Sequence, residues 1–274
     1  MLLVEEPKTI MKIAFFEIEE WQKEYIQSQI KNVEISFFTE PLSLQNVSSA
    51  KDAQIISCFI DSKLDKEILS HFINLKMIAT RSTGFDHIDQ EECKNRGILV
   101  CNVPFYGENT VAEHTFALIL ALSRKIHQSV ERTRRGDFSL DDLRGFDLKD
   151  KTLGIIGMGN IGQHVARIAQ GFYMNVLGYD IKQDKKLAKK LDFQYASLEE
   201  VLQKSDIITL HAPYNPHTHH IINHSNMSLV KKGAHIINTA RGGLIETGAL
   251  VEALQSEALA GAGLDVLEEE NVIK

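Results

Sequence analysis

At 274 residues the chain is long for one domain and comfortable for two. A net charge of −7 argues against nucleic acid or an anionic membrane as main partner, and a hydrophobic fraction of 43% is ordinary for a soluble globular protein. No apolar run reaches the ~18–20 residues needed to span a bilayer, and no secretory n-region and h-region opens the chain. Three scattered cysteines, Cys58, Cys93 and Cys101, have neither pairing pattern nor metal spacing, which points to reduced thiols in a cytoplasm.

Residues 1–10 read as an extension, because Met11 opens directly into a first strand. Strands are expected at 12–16, 33–38, 54–58, 75–79 and 98–102, with helical patterns between them at 20–30 and 65–72. Alternating strands and helices predict a parallel sheet covered on both faces. One long helix is expected over 110–134. Its apolar first half (Phe116, Leu118, Ile119, Leu120, Leu122) should be buried between two domains, and its basic second half solvated. A polar connection, 135–151, leads onward.

The most informative stretch comes next. A strand at 153–156 runs into G-x-G-x-x-G at Gly157, Gly159 and Gly162. A helix follows with Ile161, Val165, Ile168 and Ala169 on one face. A second strand, 175–179, ends in Asp180, roughly twenty residues past the glycines, as the dinucleotide fingerprint expects. One glycine makes the tight turn, one admits the pyrophosphate to the backbone, and one lets the helix sit close on the strand. The helix N-terminus offers N–H groups and a positive dipole end to phosphates. Asp180 should accept from the adenosine ribose hydroxyls and repel a 2′-phosphate. No arginine follows it, although Lys182, Lys185 and Lys186 are near, so the expected cofactor is NAD rather than NADP.

Further strands are expected at 207–211, 235–238 and 261–266, and helices at 197–204 and 250–255. Ser197 and Glu200 fit a capping box. Ligands of open α/β sheets bind at the carboxyl ends of strands. There stand His211-Ala212-Pro213, Asn238-Thr239-Ala240-Arg241 and Asp265, with Glu270 beyond. Arg241 can hold a carboxylate through two parallel hydrogen bonds. By composition alone Glu270 belongs to an acidic run, Glu268 to Glu270, of the kind that is usually a solvated face. His211, His217, His219 and His220 invite a metal reading. They lie in a proline-containing loop without interleaved carboxylate or cysteine, so no metal is expected.

Together these motifs resemble the D-2-hydroxyacid dehydrogenase family, and its D-lactate dehydrogenase-like branch. They are Arg81-Ser-Thr-Gly-Phe-Asp86, Asn102 through His114, Gly154 to Gly162, His211-Ala-Pro213, Asn238-Thr-Ala-Arg241-Gly242 and Gly263-Leu-Asp-Val266. The resemblance covers nearly all of 11–274. It implies an α/β chain of two Rossmann-like or flavodoxin-like domains with parallel sheets. Residues 1–104 would form the substrate (catalytic) domain, without its C-terminal return helix. Residues 105–274 would form the NAD-binding domain.

The resemblance also implies roles. Arg241 grips the substrate carboxylate and carbonyl, and Glu270 pairs with a catalytic histidine. Asp265 stands near the nicotinamide carboxamide. Thr83 and Gly84 donate backbone N–H groups to the substrate carboxylate, and Tyr106 is a substrate-side tyrosine. Asn160, Ile161, Asp180, Ala212, Pro213, Thr218, Thr239 and Ala240 contact the nucleotide, with the three glycines. The general-acid histidine of the family has no counterpart before Lys274, and His114 is not accepted as a substitute. The sequence therefore reads as a fragment of a longer chain, one that binds NAD but is impaired in turnover. The implied reaction is hydride transfer between the nicotinamide and a small 2-oxo acid, pyruvate first. Glyoxylate, hydroxypyruvate or a branched 2-oxo acid is the alternative substrate, and a homodimer is the expected assembly. A non-enzymatic NAD-dependent corepressor is the alternative of a different class.

Overall fold

A computed structural model describes residues 10–270. Of the extension expected at 1–10, only Ile10 lies within the described residues. The chain divides into two compact units, Met1–Tyr106 and Gly107–Lys274.

The first unit runs β1 (Met11–Phe15), α1 (Glu20–Gln29), β2 (Val33–Phe37), β3 (Ile55–Cys58), α2 (Lys66–Ser70), β4 (Met77–Thr80), α3 (Gln90–Asn95) and β5 (Leu99–Cys101). Its sheet has the order β2-β1-β3-β4-β5, with every pairing parallel. Such strands must be apolar on both faces. Accordingly Ile56, Ser57 and Cys58 are all buried, and Phe16, Ile56, Leu64, Leu69, Phe72 and Ile78 form the main core. Both short helices after β3 start on an aspartate. Asp65 accepts from the Ile68 N–H at 3.0 Å, and Asp89 from the Glu92 N–H at 2.9 Å. Six residues are too few to show a helical period, so α3 has no signature in the pattern.

The second unit runs α4 (Glu108–Ser123), α5 (Ile126–Arg134), β6 (Thr152–Ile156), α6 (Asn160–Gly171), β7 (Asn175–Tyr179), α7 (Lys185–Lys190), β8 (Gln194–Tyr195), α8 (Leu198–Lys204), β9 (Ile207–Leu210), α9 (His224–Met227), β10 (Ala234–Asn238), α10 (Thr247–Gln255) and β11 (Leu259–Leu264). The strand order is β11-β10-β9-β6-β7-β8, again all parallel. This is the doubly wound order, and it reverses between β6 and β9, where such sheets bind ligands. One face is covered by α4 and α6, with Ala112, Phe116, Ile119, Val165 and Ala169 in its core. The Phe116 and Phe172 rings stack at 5.4 Å there. Val201, Leu202, Leu250 and Ala253 of α8 and α10 join the core of the other face. The capping box of α8 is present, with Ser197 and Glu200 reciprocally bonded. No helix of the described residues is long and apolar enough to cross a membrane.

The single helix expected over 110–134 is two helices. Lys125 takes a left-handed conformation, φ 54°, between α4 and α5. The incoming connection causes the break. The Phe146 N–H takes the Ser123 carbonyl at 3.0 Å, an acceptor a continuing helix would have used. Leu118, Leu120 and Leu122 are half-buried and pack against the core of this unit. Gly263 leaves room for them: a Cβ there would come within 3.1 Å of the Leu118 Cβ.

Candidate nucleotide-binding site

The glycine turn leaves β6 at Ile156, and each glycine now has a distinct part. Gly157 sits at φ 101°, and a Cβ on it would come within 2.6 Å of the His211 carbonyl carbon and the Ala212 nitrogen. It is the tight turn. A Cβ on Gly162 would lie 2.1 Å from the Gly157 oxygen, so its absence sets α6 against the turn. A Cβ on Gly159 would meet no protein atom within 4 Å. Gly159 is the N-cap of α6, and neither a capping side chain nor a first-turn acid occupies that end. Asn160 and Ile161 open the helix. An uncapped N-terminus of a twelve-residue helix, open on the Gly159 side, fits a phosphate group.

Asp180 is fastened to this turn. Its Oδ2 accepts from the Met158 N–H and its Oδ1 from the Lys182 N–H, each at 2.8 Å. The carboxylate is thereby fixed at the end of β7, and each oxygen keeps acceptor capacity for a hydroxyl. The next side chain, Ile181, is 95% exposed.

Across the switch point His211 follows β9. Its Nε2 lies 2.9 Å from the Thr209 Oγ1, while its buried Nδ1 has no hydrogen-bond partner among the described residues. Burial lowers the ring to about 3, so it is neutral. The residue as a whole is half-buried, yet Nδ1 itself is enclosed. Ala212 and Pro213 continue the loop. The Thr218 hydroxyl is committed within it, donating to the Pro213 carbonyl at 2.6 Å and accepting from the Asn215 N–H at 2.9 Å.

The ends of β10 and β11 are organised by a residue that the motif contains but to which sequence reasoning assigned no part. Asn238 is 1% exposed. Its side chain accepts from the Ala240 N–H at 3.1 Å and donates to the Arg241 carbonyl at 2.9 Å. Its own carbonyl takes the Asp265 N–H at 2.9 Å. The signal was an asparagine closing a strand, a residue that bonds the backbone just after it. The Arg241 Nη1 donates to the Ala240 carbonyl at 2.8 Å. The Thr239 hydroxyl meets that of Thr115 on α4 at 3.0 Å, both buried. Asp265 is met by His114 of α4, Oδ1 to Nε2, at 3.3 Å.

Gly242 joins the arginine segment to the acidic one. A Cβ on it would overlap the Leu267 carbonyl oxygen at 2.0 Å. In the acidic run Glu270 accepts from the Leu267 N–H at 2.6 Å. Glu268 is the better-anchored acid: it receives the Thr247 N–H at 3.1 Å and hydroxyl at 2.8 Å, and pairs with His220. Nothing in the run itself distinguished Glu268, because its partners are distant in sequence.

The histidine loop uses its rings otherwise. His219 stacks on His220 at 3.7 Å and meets the Tyr214 hydroxyl through Nδ1 at 3.1 Å. Among the described residues no group of three or more histidine, cysteine or acidic side chains is arranged to hold a metal ion.

Thr83, Gly84 and Tyr106 belong to the first unit. The loop carrying Thr83 and Gly84 follows β4 and is tied down from several sides. Asn102 Nδ2 donates to the Thr83 carbonyl at 2.8 Å, Thr83 Oγ1 to the Val103 carbonyl at 3.0 Å, and Ser82 Oγ to the Gly84 carbonyl at 2.7 Å. Arg81 anchors its start, donating to the Phe16 and Glu17 carbonyls at 2.7 and 2.8 Å. Tyr106 is 59% exposed.

Comparison with known proteins agrees with this geometry. The family described as D-isomer specific 2-hydroxyacid dehydrogenase, NAD binding domain, matches residues 116–274. A 2-hydroxyacid dehydrogenase homolog of Zymomonas mobilis is 37% identical over 265 residues, 95% of this chain and 80% of its own length. The D-lactate dehydrogenase of Escherichia coli is 34% identical over 264 residues, covering 95% of this chain and 80% of that protein. The crystal structure of D-lactate dehydrogenase from Aquifex aeolicus, complexed with NAD and lactic acid, superposes with a TM-score of 0.90 at 41% identity. It covers 95% of this chain and 78% of its own. The chain belongs to the D-isomer specific 2-hydroxyacid dehydrogenase family.

Proposed function

We propose that the chain is an NAD-dependent D-lactate dehydrogenase, reducing pyruvate, with NAD preferred over NADP. The observation that carries the cofactor choice is Asp180, fixed beside the glycine turn by two backbone N–H groups. A carboxylate held there accepts ribose hydroxyls and repels a 2′-phosphate. The lactate reading is supported by the Escherichia coli and Aquifex aeolicus relatives.

NAD, when bound, supplies or accepts a hydride at its nicotinamide. The protein's part is position and field. Arg241 holds the substrate carboxylate and polarises the carbonyl, as a planar guanidinium suits. Thr83 and Gly84 offer backbone donors, and Tyr106 contributes on the substrate side. Glu270 favours the charged form of a histidine partner. The glycine turn and the carboxylate of Asp180 support NADH binding by this chain. A homodimer is part of the proposal. Ile126 and Val130 of α5 and Phe138 and Leu140 just after it are large apolar side chains at 45–84% exposure.

The deciding experiment pairs NADH titration with a panel of pyruvate, glyoxylate, hydroxypyruvate and branched 2-oxo acids. Preferential pyruvate-dependent NADH oxidation with D-lactate as product supports the reading. Absence of NADH binding, or a clear preference for another oxo acid, sinks it. Arg241→Lys should raise the KM for pyruvate by about tenfold or more while leaving NADH affinity in place.

A further inference from the structure

Outside the glycine turn, one histidine–carboxylate contact of the second unit lies where the other half of a dinucleotide must go. This step rests on the dinucleotide reading above. With the pyrophosphate at the α6 N-terminus and the adenosine ribose at Asp180 on β7, the second nucleoside is directed across the switch point. It then lies over the ends of β9, β10 and β11. Asp265 is the first residue past β11, and its side chain is 52% exposed. Its backbone is held by Asn238 at the end of β10. Two other acids beyond β11 are engaged elsewhere, Glu268 with His220 and Thr247 and Glu270 with the Leu267 N–H. Asp265 is met by His114, from the second turn of α4. The adjacent Thr115–Thr239 hydroxyl bond fixes that part of α4 to the end of β10. The imidazole is therefore carried on a docked helix, not on a free loop.

Oxidised nicotinamide carries a positive charge and reduced nicotinamide does not. An unpaired carboxylate facing the ring favours the oxidised form. A carboxylate turned toward an imidazole presents less of its charge to the ring and favours it less. We propose that His114 is a positioning residue for the nicotinamide end of the site: it stands against Asp265 and orients that carboxylate, and so sets the relative affinity for oxidised and reduced cofactor. Its action runs through Asp265, with no contact of its own to the reacting atoms required.

The test is calorimetric titration with ADP-ribose, NAD⁺ and NADH at neutral pH. It compares the protein with His114→Ala, His114→Asn, Asp265→Asn and the double variant His114→Ala/Asp265→Asn. Each His114 variant should shift the NAD⁺-to-NADH affinity ratio toward NAD⁺ by about threefold or more, the size of one exposed contact to a carboxylate. Asp265→Asn should shift it the other way. In the double variant the His114 effect should vanish, because the two residues act as one unit. ADP-ribose, which lacks the nicotinamide, should bind all five proteins alike. An unchanged ratio in both His114 variants overturns the inference, as does a His114 effect that survives in the Asp265→Asn background. Equal weakening of all three ligands also overturns it, since that marks a role in folding alone. Failure of the unaltered protein to bind ADP-ribose overturns the dinucleotide reading itself, a result distinct from the others.

Discussion

His220 Nε2 lies 2.5 Å from Glu268 Oε1, and this bond ties the loop after β9 to the segment after β11. The same carboxylate takes the N–H and hydroxyl of Thr247 at the start of α10. Three chain segments separated in sequence thus meet on one side chain. The one that follows β11 also carries Asp265 and Glu270.

That clamp predicts a pH signature. The hydrogen bond from His220 pulls the Glu268 carboxyl from 4.5 down to about 2, against a smaller opposing push from burial, with help from Thr247. A depressed folded value stabilises above the unfolded value and is lost as pH falls through the folded one. Glu268→Gln should therefore be less stable than the parent by about 1 kcal/mol at pH 6, the size of a partly screened charged hydrogen bond. The gap should close between pH 4.5 and about 2. Urea unfolding across that range checks it, and a gap independent of pH rejects the ionic account.

The three glycines should separate fold from binding. Gly162→Ala forces a Cβ to 2.1 Å from the Gly157 oxygen and should cost about 1–3 kcal/mol or more in stability. Gly159→Ala meets no protein atom within 4 Å. Its melting temperature should match the parent, while its NADH affinity drops by about tenfold or more, because the added methyl stands where a phosphate approaches. Equal melting and equal affinity in Gly159→Ala would count against the phosphate site.

Asp180→Ser should invert the cofactor preference. Loss of the carboxylate removes the ribose acceptor and the repulsion of a 2′-phosphate together. NADH binding should weaken by about tenfold, roughly one charged hydrogen bond, and NADPH binding should hold or improve. Parallel titrations with the two cofactors decide it. A parallel loss of both would mean that Asp180 serves only to fasten the turn at Met158 and Lys182.

His211 makes a prediction of opposite sign to Glu268 in origin but not in direction. Burial holds its ring neutral down to about 3, whereas the unfolded ring protonates near 6.5. Below pH 6.5 the unfolded state therefore gains protons that the folded state does not, and stability falls as pH drops toward 3. His211→Asn keeps a polar group beside Thr209 without titrating. Relative to the parent, it should gain at most ~1.4 kcal/mol per pH unit across that window. Unfolding midpoints measured from pH 7 to pH 4 report it, and parallel curves for the two proteins contradict a neutral buried ring.

Much of this site was legible because its signals are local. The G-x-G-x-x-G run between a strand and a helix, and an acid closing the next strand, are short-range patterns. The structure places Gly157, Gly159 and Gly162 at the turn from β6 into α6, with Asp180 at the end of β7 bonded to that turn. Strand 175–179 and the Ser197–Glu200 capping box stand as read. The helix over 110–134 was misread because its break comes from Phe146, a residue far along the chain that takes the Ser123 carbonyl. Short elements such as α3, α7 and α9 have too few residues to show a period.

By itself, then, the sequence determined the alternation of strands and helices, the glycine turn and the carboxylate beside it. Each depends on neighbours in the chain and on the backbone freedom of single glycines. The tertiary structure alone decided that Asn238 organises the ends of β10 and β11, that Glu268 is the clamped acid of its run, and that His114 stands against Asp265. Those bonds join residues brought together only by the strand order β11-β10-β9-β6-β7-β8 and the docking of α4 on that sheet. No local pattern encodes a hydrogen bond between strand ends, because its two partners meet only when the whole sheet has formed.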